Sequence, residues 1–273
     1  MTMLQSRNPT MGVFEKPQTW DDLDQAERKL KTMSINGVVF ATSVLLAICG
    51  ASAVATWNMF VDMFASTSAG AGSGNGLLWL GGSMIGGLVL CLVISFKPVT
   101  APVLSPIYAA IQGVFVSAFS AIIAYRYLGA ADNPEALDLI AQALFLTLGV
   151  LGGMLIAYRT GLIRIGGTFA KIMMGALIGV VLYSVVVMIG NGLLGAGIPN
   201  LFDSASPLGI GFSVLLVALA SLFLVLDFQM IEAGVKNQAP KYMNWYGGFS
   251  LLVTLVWLYI EILRLLAKLR SSD

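Results

Sequence analysis

Seven long apolar segments, separated by short polar stretches, dominate the sequence. Each is close to the length of about 20 residues that a helix needs to cross a bilayer core. Because lipid offers no hydrogen-bond partners to the backbone, such segments must form helices. The sequence therefore predicts an all-α, polytopic membrane protein with seven transmembrane helices in a bundle. In chain order the segments are Ile35–Trp57, Leu77–Phe96, Ile107–Tyr127, Ala136–Tyr158, Phe169–Ile189, Leu208–Ile231 and Tyr246–Leu266.

The composition fits a lipid-facing surface. Only 11% of the 273 residues are charged, against about 25% in soluble globular domains. The net charge of +1 gives no reason to expect a nucleic-acid partner. There is no histidine, and Cys49 and Cys91 each lie inside an apolar segment, where free cysteines act as small hydrophobic residues. The sequence therefore predicts no metal site, no cofactor and no disulfide.

The chain divides into two regions. Residues 1–33 are polar and charged and lack the apolar centre of a secretory signal peptide. We therefore predict a mobile cytoplasmic segment over residues 1–33 and a transmembrane domain over residues 34–273, beginning with an uncleaved first span.

Local patterns predict how the helices begin, connect and pack. Pro98, Pro102 and Pro106 predict a short, stiff turn between the second and third spans. Residues 133–135, Asn-Pro-Glu, are typical of a helix start, with a capping side chain, proline and then an acid. The spacing of Gly175 and Gly179 favours close packing of helix backbones.

Lysine and arginine in the connecting segments predict the orientation. Nine lie on the side of the N-terminus and one, Arg126, lies in the opposite connections, which predicts a cytoplasmic N-terminus in the cytoplasmic membrane. Arg264, Lys268 and Arg270 lie outside if the last segment crosses the membrane, and inside if it is re-entrant. We favour seven crossings, with a re-entrant last segment as the alternative. The nine are Arg28, Lys29, Lys31, Lys97, Arg159, Arg164, Lys171, Lys236 and Lys241.

Ionisable residues within the apolar segments are the candidate functional residues, since each costs about 2.5–3.5 kcal/mol at the centre of a membrane helix. Asp227 follows five apolar residues in the sixth segment and is a candidate proton-responsive or cation-attracting group. A structural ion pair or an interfacial carboxylate is the alternative. Lys97 ends the second segment at a similar depth and is a candidate partner for Asp227.

The last and third segments add further polar candidates. Glu261 and Arg264 are three residues apart, a spacing at which helical side chains form ion pairs. Arg264 could instead extend to the interface. Gln112 is more typical of contacts between helices than of a site.

Enzymatic signatures are missing from the sequence. It has no Gly-x-Ser-x-Gly motif, no phosphate-binding glycine loop and no grouping of histidine, cysteine and carboxylates. Asp227 and Glu261 are predicted to lie at different depths, which disfavours a membrane aspartyl protease. We therefore expect a protein that is not an enzyme. No pair of interrupted helices suggests a secondary transporter either.

The C-terminal third resembles the Bax inhibitor-1 family. The resemblance lies in residues 226–231, Leu-Asp-Phe-Gln-Met-Ile, and in residues 249–264, which run from Phe-Ser-Leu-Leu-Val-Thr to Glu-Ile-Leu-Arg. The segment 108–117, with Gln112, is similar to a Glu-Gly segment of the family, and Arg7-Asn8-Pro9 is similar to a bacterial subgroup. The resemblance implies seven helices around a central pore and, for some members, a pH-sensitive calcium leak. Other bacterial members modulate a membrane protease.

In the family, an Asp on the sixth helix pairs with an Asp on the seventh, near a basic residue that ends the second. The resemblance places Asp227 and Lys97 at the first and last of these positions, and Thr254 at the second Asp. This chain therefore lacks the second carboxylate with which Asp227 would share a proton. A single contact between Asp227 and Lys97 is the interaction that the sequence can still support. We expect a pH-sensitive calcium leak channel involving Asp227, Lys97, Thr254, Glu261 and Gln112. The alternative is a modulator that binds a membrane protease or another integral partner through its N-terminal segment.

Overall fold

Seven helices make up the transmembrane domain in a computed structural model that describes residues 32–67, 74–129, 133–163, 165–192 and 194–272. All seven are long and apolar enough to cross a membrane, as predicted. Residues 1–31, which carry most of the predicted N-terminal segment, lie outside the described residues. The helices are α1 (Ile35–Thr67), α2 (Gly74–Phe96), α3 (Ala101–Leu128), α4 (Pro134–Arg159), α5 (Gly167–Gly192), α6 (Pro207–Lys236) and α7 (Met243–Ser272).

Two hydrogen-bonded contacts define the two ends of the bundle. At one end, which we call the N-terminal face, the Met33 amide donates to the carbonyl of Ala239 at 2.7 Å. Ala239 belongs to the connection between α6 and α7. At the opposite face, Arg270 Nη1 donates to the carbonyl of Glu135, at the start of α4, at 3.0 Å. α7 has 30 residues and is about 45 Å long at 1.5 Å per residue. It therefore runs from one face to the other, and a re-entrant last segment is wrong.

α7 is the central helix of the bundle. It packs against α1, α3, α4 and α6, and its Leu252, Leu258 and Leu263 are fully buried. α2 packs mainly on α3. Among the described helices, α6 is the one against which α5 packs. Four helices thus enclose α7, and α2 and α5 lie outside them.

The helix ends follow from local sequence. The Asn133 side chain accepts a hydrogen bond from the Glu135 amide at 3.2 Å, which confirms the predicted start of α4. The turn before α3 is shorter than predicted, because it covers only Pro98–Thr100, and Pro102 and Pro106 lie within α3. Proline is tolerated in a first helical turn because amides there have no helical partner; Pro106 omits one helical hydrogen bond.

Glycines have two different roles in the bundle. A Cβ on Gly113 would overlap the Cys49 carbonyl, so only glycine allows α3 to approach α1 this closely. At the same contact, Ser52 Oγ donates to the Ala110 carbonyl at 2.7 Å. A Cβ on Gly175 or Gly179 would meet no described atom within 4 Å. No described helix of the chain therefore packs closely against these two glycines.

Candidate functional site

A line of polar side chains on α7 faces α6 across the thickness of the bundle. At 3.6 residues per turn, its members lie within about 40° of one line along the helix. Ser250 and Lys268, at the two ends, are about 27 Å apart along the axis, close to the thickness of a bilayer core of about 30 Å. We call this line and the α6 residues that it contacts the α6–α7 seam. Its α7 members are Ser250, Thr254, Trp257, Glu261, Arg264 and Lys268.

Asp227 occupies the seam near the N-terminal face. Its side chain is buried, with 8% of the residue exposed. Ser250 Oγ donates to its Oδ1 at 2.7 Å, and Thr254 Oγ1 donates to its Oδ2 at 2.6 Å. Both partners lie on α7, one turn apart. A single carboxylate of α6 therefore holds α7 through two hydroxyl groups, and Thr254 serves as a donor at the position where the family resemblance implies a second acid.

A small cavity of about 60 Å³ adjoins Asp227 on the side of the N-terminal face. Since a water molecule takes up about 30 Å³ in the liquid, the cavity has room for about two. Met33, Met230 and Tyr246 are among the side chains around it. The carboxylate thus has a short route toward the N-terminal face.

Aromatic and aliphatic side chains close the middle of the seam. The rings of Phe223 on α6 and Trp257 on α7 have centroids 5.7 Å apart. Leu224, Leu255 and Leu258 are buried in the same region of the core. This apolar layer separates Asp227 from the charged groups at the other end.

Glu261 and Arg264 form an ion pair at 3.1 Å, with side-chain exposures of 5% and 13%. Trp257 Nε1 also donates to Glu261 Oε1, at 3.3 Å. The Arg264 guanidinium carbon lies 5.5 Å from the centroid of the Phe119 ring and 5.1 Å from that of Phe202. Arg264 is therefore held inside the protein by a carboxylate and two aromatic rings, and it does not extend to the interface.

Lys268 is fully buried at the opposite face. Its Nζ donates to the carbonyls of Leu201 and Gly209, at 2.8 and 3.0 Å, and to Ser213 Oγ at 2.8 Å. An ammonium group has three protons, so all three are bonded. Three oxygens from α6 and the preceding loop form a complete cradle for the cation, which makes its burial possible.

The α5–α6 loop, residues 194–206, covers this end of the seam. Beside Leu201 and Phe202, which contact α7, the loop contributes Asp203, whose carboxylate forms an ion pair with Arg126 of α3 at 3.0 Å. The Tyr127 hydroxyl donates to the carbonyl of the same residue at 2.9 Å. The loop is therefore tied to α3 and α7 together.

Two of the predicted site residues lie away from the seam. Lys97 is exposed and is not among the described partners of Asp227, whose two oxygens are taken by hydroxyl groups. Gln112 faces α2, with its Oε1 3.2 Å from the position of a Cβ on Gly87. Asp227, Thr254 and Glu261 thus lie along the same seam, with the apolar layer between Glu261 and the other two. The structure does not bring Lys97 or Gln112 to the seam.

Sequence reasoning missed Ser250 and Lys268 as members of the site. Ser250 is not among the residues that the sequence predicts for a site, and Lys268 enters the prediction only as a charge that bears on orientation. Both could have been found from the helical period, because residues 250, 254, 261 and 268 repeat at intervals that keep one face of a helix. The partners of Lys268 on α6 and the α5–α6 loop had no such signal. Within the described residues, no group of three histidine, cysteine or carboxylate side chains is placed to hold a metal ion.

Comparison with known families decides the relationship. The family model described as Bax inhibitor 1 like matches residues 9–271, nearly the whole chain. The chain belongs to this family. No curated protein and no solved structure matches the chain.

The hydroxyl groups that bond Asp227 can be tested in this Bax inhibitor 1-like protein by Thr254→Val. The substitution keeps the shape of the side chain and leaves a buried carboxylate oxygen without its donor, which costs about 1–3 kcal/mol. We expect that loss in the free energy of unfolding, measured in mixed micelles by titration with a denaturing detergent. Thr254→Ser should retain most of the stability.

Thr147→Val is the matched control, because Thr147 is also buried but its hydroxyl donates only to the Ala143 carbonyl of its own helix, at 2.7 Å. Its effect should be clearly smaller than that of Thr254→Val. Equal losses for the two valine variants would contradict the importance of the Asp227 contact.

The Lys268 cradle can be tested by Lys268→Met, which keeps the length of the side chain and removes all three hydrogen-bond donors. We expect residues 194–206 to exchange backbone hydrogen about tenfold faster, measured by hydrogen–deuterium exchange with mass spectrometry. Arg270→Met is the control. It also removes a cation from this end of α7, but the described hydrogen bonds of Arg270 go to α4 and not to the loop. Unchanged exchange in the loop of Lys268→Met would show that the cradle does not hold it.

Proposed function

We propose that the protein is a pH-sensitive cation leak channel, with calcium as the permeant ion, and that the α6–α7 seam is its path. The observation that supports this is the seam itself, a line of buried and half-buried polar groups that extends over about the thickness of a bilayer core. Polar and ionisable groups inside a membrane are costly and are typical of ion and proton pathways. Oxygen atoms, which dominate the seam, are the ligands that calcium prefers.

Asp227 is the proposed pH-sensitive group. An ionised carboxylate only accepts hydrogen bonds, so it can take one from Ser250 and one from Thr254 together. A protonated carboxyl group carries a donor on one oxygen, and that oxygen must find an acceptor. One of the two hydroxyl groups then has to turn or leave. Protonation of Asp227 therefore weakens the contact that holds α7 against α6.

The described conformation corresponds to the closed state in this proposal. The Phe223–Trp257 contact fills the middle of the seam, and Lys268 occupies the oxygen cradle at the opposite face. Release of α7 at Asp227 would separate the two aromatic rings first, because Thr254 lies one turn from Trp257. Glu261, beyond this layer, would then attract the cation, while Lys97 and Gln112 lie outside the path.

The distribution of charge supports a cytoplasmic N-terminus and a location in the cytoplasmic membrane. Arg264, Lys268 and Arg270 would reduce the excess of basic residues on the side of the N-terminus, because they lie at the far end of α7. Two of them, Arg264 and Lys268, are enclosed by protein. Buried cations are not loop charges in the sense of the positive-inside rule. Arg126 and Arg270 then remain on the opposite face, against the nine basic residues that the sequence places on the other side.

Calcium flux into proteoliposomes tests the proposed channel. We expect the flux of the wild type to rise as the pH falls from about pH 8 to pH 5, because protonation of Asp227 releases α7. Asp227→Asn removes the ionised state, so its flux should be high throughout and independent of pH. A fluorescent calcium indicator inside the vesicles provides the measurement.

The control is Asp138→Asn, which removes a carboxylate from the exposed part of α4, away from the seam, and should keep the pH dependence of the wild type. Equal flux at every pH for the wild type and Asp227→Asn would overturn the proposal.

A second function, as a modulator that binds a membrane protease or another integral protein, is favoured by glycines on α4 and α5. Gly149, Gly152 and Gly153 on α4, like Gly175 and Gly179 on α5, meet no described atom within 4 Å of an added Cβ. Small residues that face lipid allow another helix to approach closely.

Co-purification distinguishes the modulator from the channel. Gly175→Leu/Gly179→Leu blocks close approach, and we expect it to lose integral partners that the wild type retains, as measured by mass spectrometry after mild solubilisation. Deletion of residues 2–30 tests the N-terminal segment in the same way. Calcium flux should survive both changes if the protein is a channel, and retained partners in both variants would contradict the modulator.

A further inference from the structure

A cavity of about 450 Å³ opens between α4 and α6 at the N-terminal face. Its volume lies within the range of about 300–1,000 Å³ that is usual for small-molecule sites. The wall is apolar where Ile35 and Leu155 contribute to it, and polar around Arg159, Glu232 and Lys236. Arg159 and Lys236 belong to the last turns of α4 and α6, so both cations lie where the two helices end.

The charges of the cavity leave one cation unmatched. Lys236 Nζ forms an ion pair with Glu232 Oε1 at 2.7 Å, and the Tyr158 hydroxyl donates to Glu232 Oε2. Arg159 lines the same cavity and forms no ion pair with any described residue. Among the described residues that line the cavity there are two cations and one carboxylate, a net charge of about +1 that fits a ligand with a single negative charge.

Neighbouring side chains connect the cavity with the lipid. Ile156 and Leu162, on either side of Arg159 in the chain, are 66% and 81% exposed. Gln229 Nε2 donates to the carbonyl of Ile165 at 3.3 Å, which holds the connection between α4 and α5 beside the cavity. A molecule bound here therefore has its charged part between two helix ends and an apolar surface next to it.

We propose that this cavity binds the headgroup of an anionic phospholipid with a net charge of −1, of the phosphatidylglycerol type. Arg159 binds the phosphate, since its planar guanidinium donates two parallel hydrogen bonds to phosphate oxygens. Lys236 provides the second positive charge, and the acyl chains follow the exposed apolar side chains of α4. Basic pockets between transmembrane helices are a recognised mode of binding anionic lipid headgroups. A zwitterionic lipid fits less well, because the carboxylate that would bind its ammonium group is already engaged.

The test measures lipid retained by the purified full-length protein. Native mass spectrometry is carried out from detergent micelles that contain phosphatidylglycerol, phosphatidylethanolamine or phosphatidylcholine with identical acyl chains. We expect phosphatidylglycerol alone to be retained. Removal of one cation should weaken its binding about fivefold in Arg159→Gln and about thirtyfold in Arg159→Gln/Lys236→Gln.

Two further variants separate the cavity from general attraction to positive charge. Lys241→Gln removes a cation from the same face outside the cavity and should bind phosphatidylglycerol as the wild type does. Leu155→Trp keeps both cations and fills the apolar wall, so it should lose the lipid; its thermal unfolding in detergent reports whether it has folded. Equal weakening in Lys241→Gln and Arg159→Gln would overturn the proposal.

Competition experiments identify other occupants. Inorganic phosphate or glycerol 3-phosphate should fail to displace the lipid, and displacement at equal concentration would assign the cavity to a soluble anion. Equal retention of phosphatidylcholine would reduce the site to a nonspecific apolar surface. If phosphatidylglycerol binds only after deletion of residues 2–30, the cavity is the binding site of the N-terminal segment. Each of these three results contradicts a lipid site.

Discussion

Every polar group on the central helix must find its partner within the protein, because α7 is enclosed by four other helices. Unpaired polar groups in such surroundings are costly. At the two ends of the seam, these partners come from α6 and from the α5–α6 loop: Asp227 for the hydroxyl groups at one end, and the carbonyls of Leu201 and Gly209 for Lys268 at the other. The position of α6 and the path of the loop both depend on this requirement. α2 and α5, which take no part in it, lie at the periphery.

The seam combines two kinds of contact with different responses to conditions. At Asp227, protonation changes the number of hydrogen bonds that one group can accept, so the contact depends on pH. At Lys268, a cation is bound by two carbonyl oxygens and a hydroxyl group, so its three partners carry no charge. The Glu261–Arg264 pair lies between the two. The two ends of α7 are thus held by different hydrogen bonds, one set accepted by a carboxylate and the other donated by an ammonium group.

Much of this architecture could be predicted from the sequence, because hydrophobic length alone identifies membrane-spanning helices. The start of α4 and the position of Asp227 inside the bundle followed from patterns within single segments. The cradle of Lys268 could not be predicted, since it joins a helix end to a loop more than 50 residues earlier in the chain. Pairing of Asp227 with Lys97 rested on similar depth and on the family resemblance, and neither determines which side of a helix a residue occupies in this chain. The spacing of Gly175 and Gly179 left their partner helix open, because a packing motif does not state whether the neighbouring helix belongs to the same chain.

The burial of Lys268 also bears on how the protein enters the membrane. Arg264, Lys268 and Arg270 all have to reach the opposite face, and a helix that carries three cations at its leading end is a poor substrate for insertion by itself. The oxygens that receive Lys268 belong to α6 and the loop before it, which are synthesised earlier and are already in place. The last two helices are therefore best regarded as one unit of biogenesis, in which α6 supplies α7 with the partners that it needs during its passage through the bilayer.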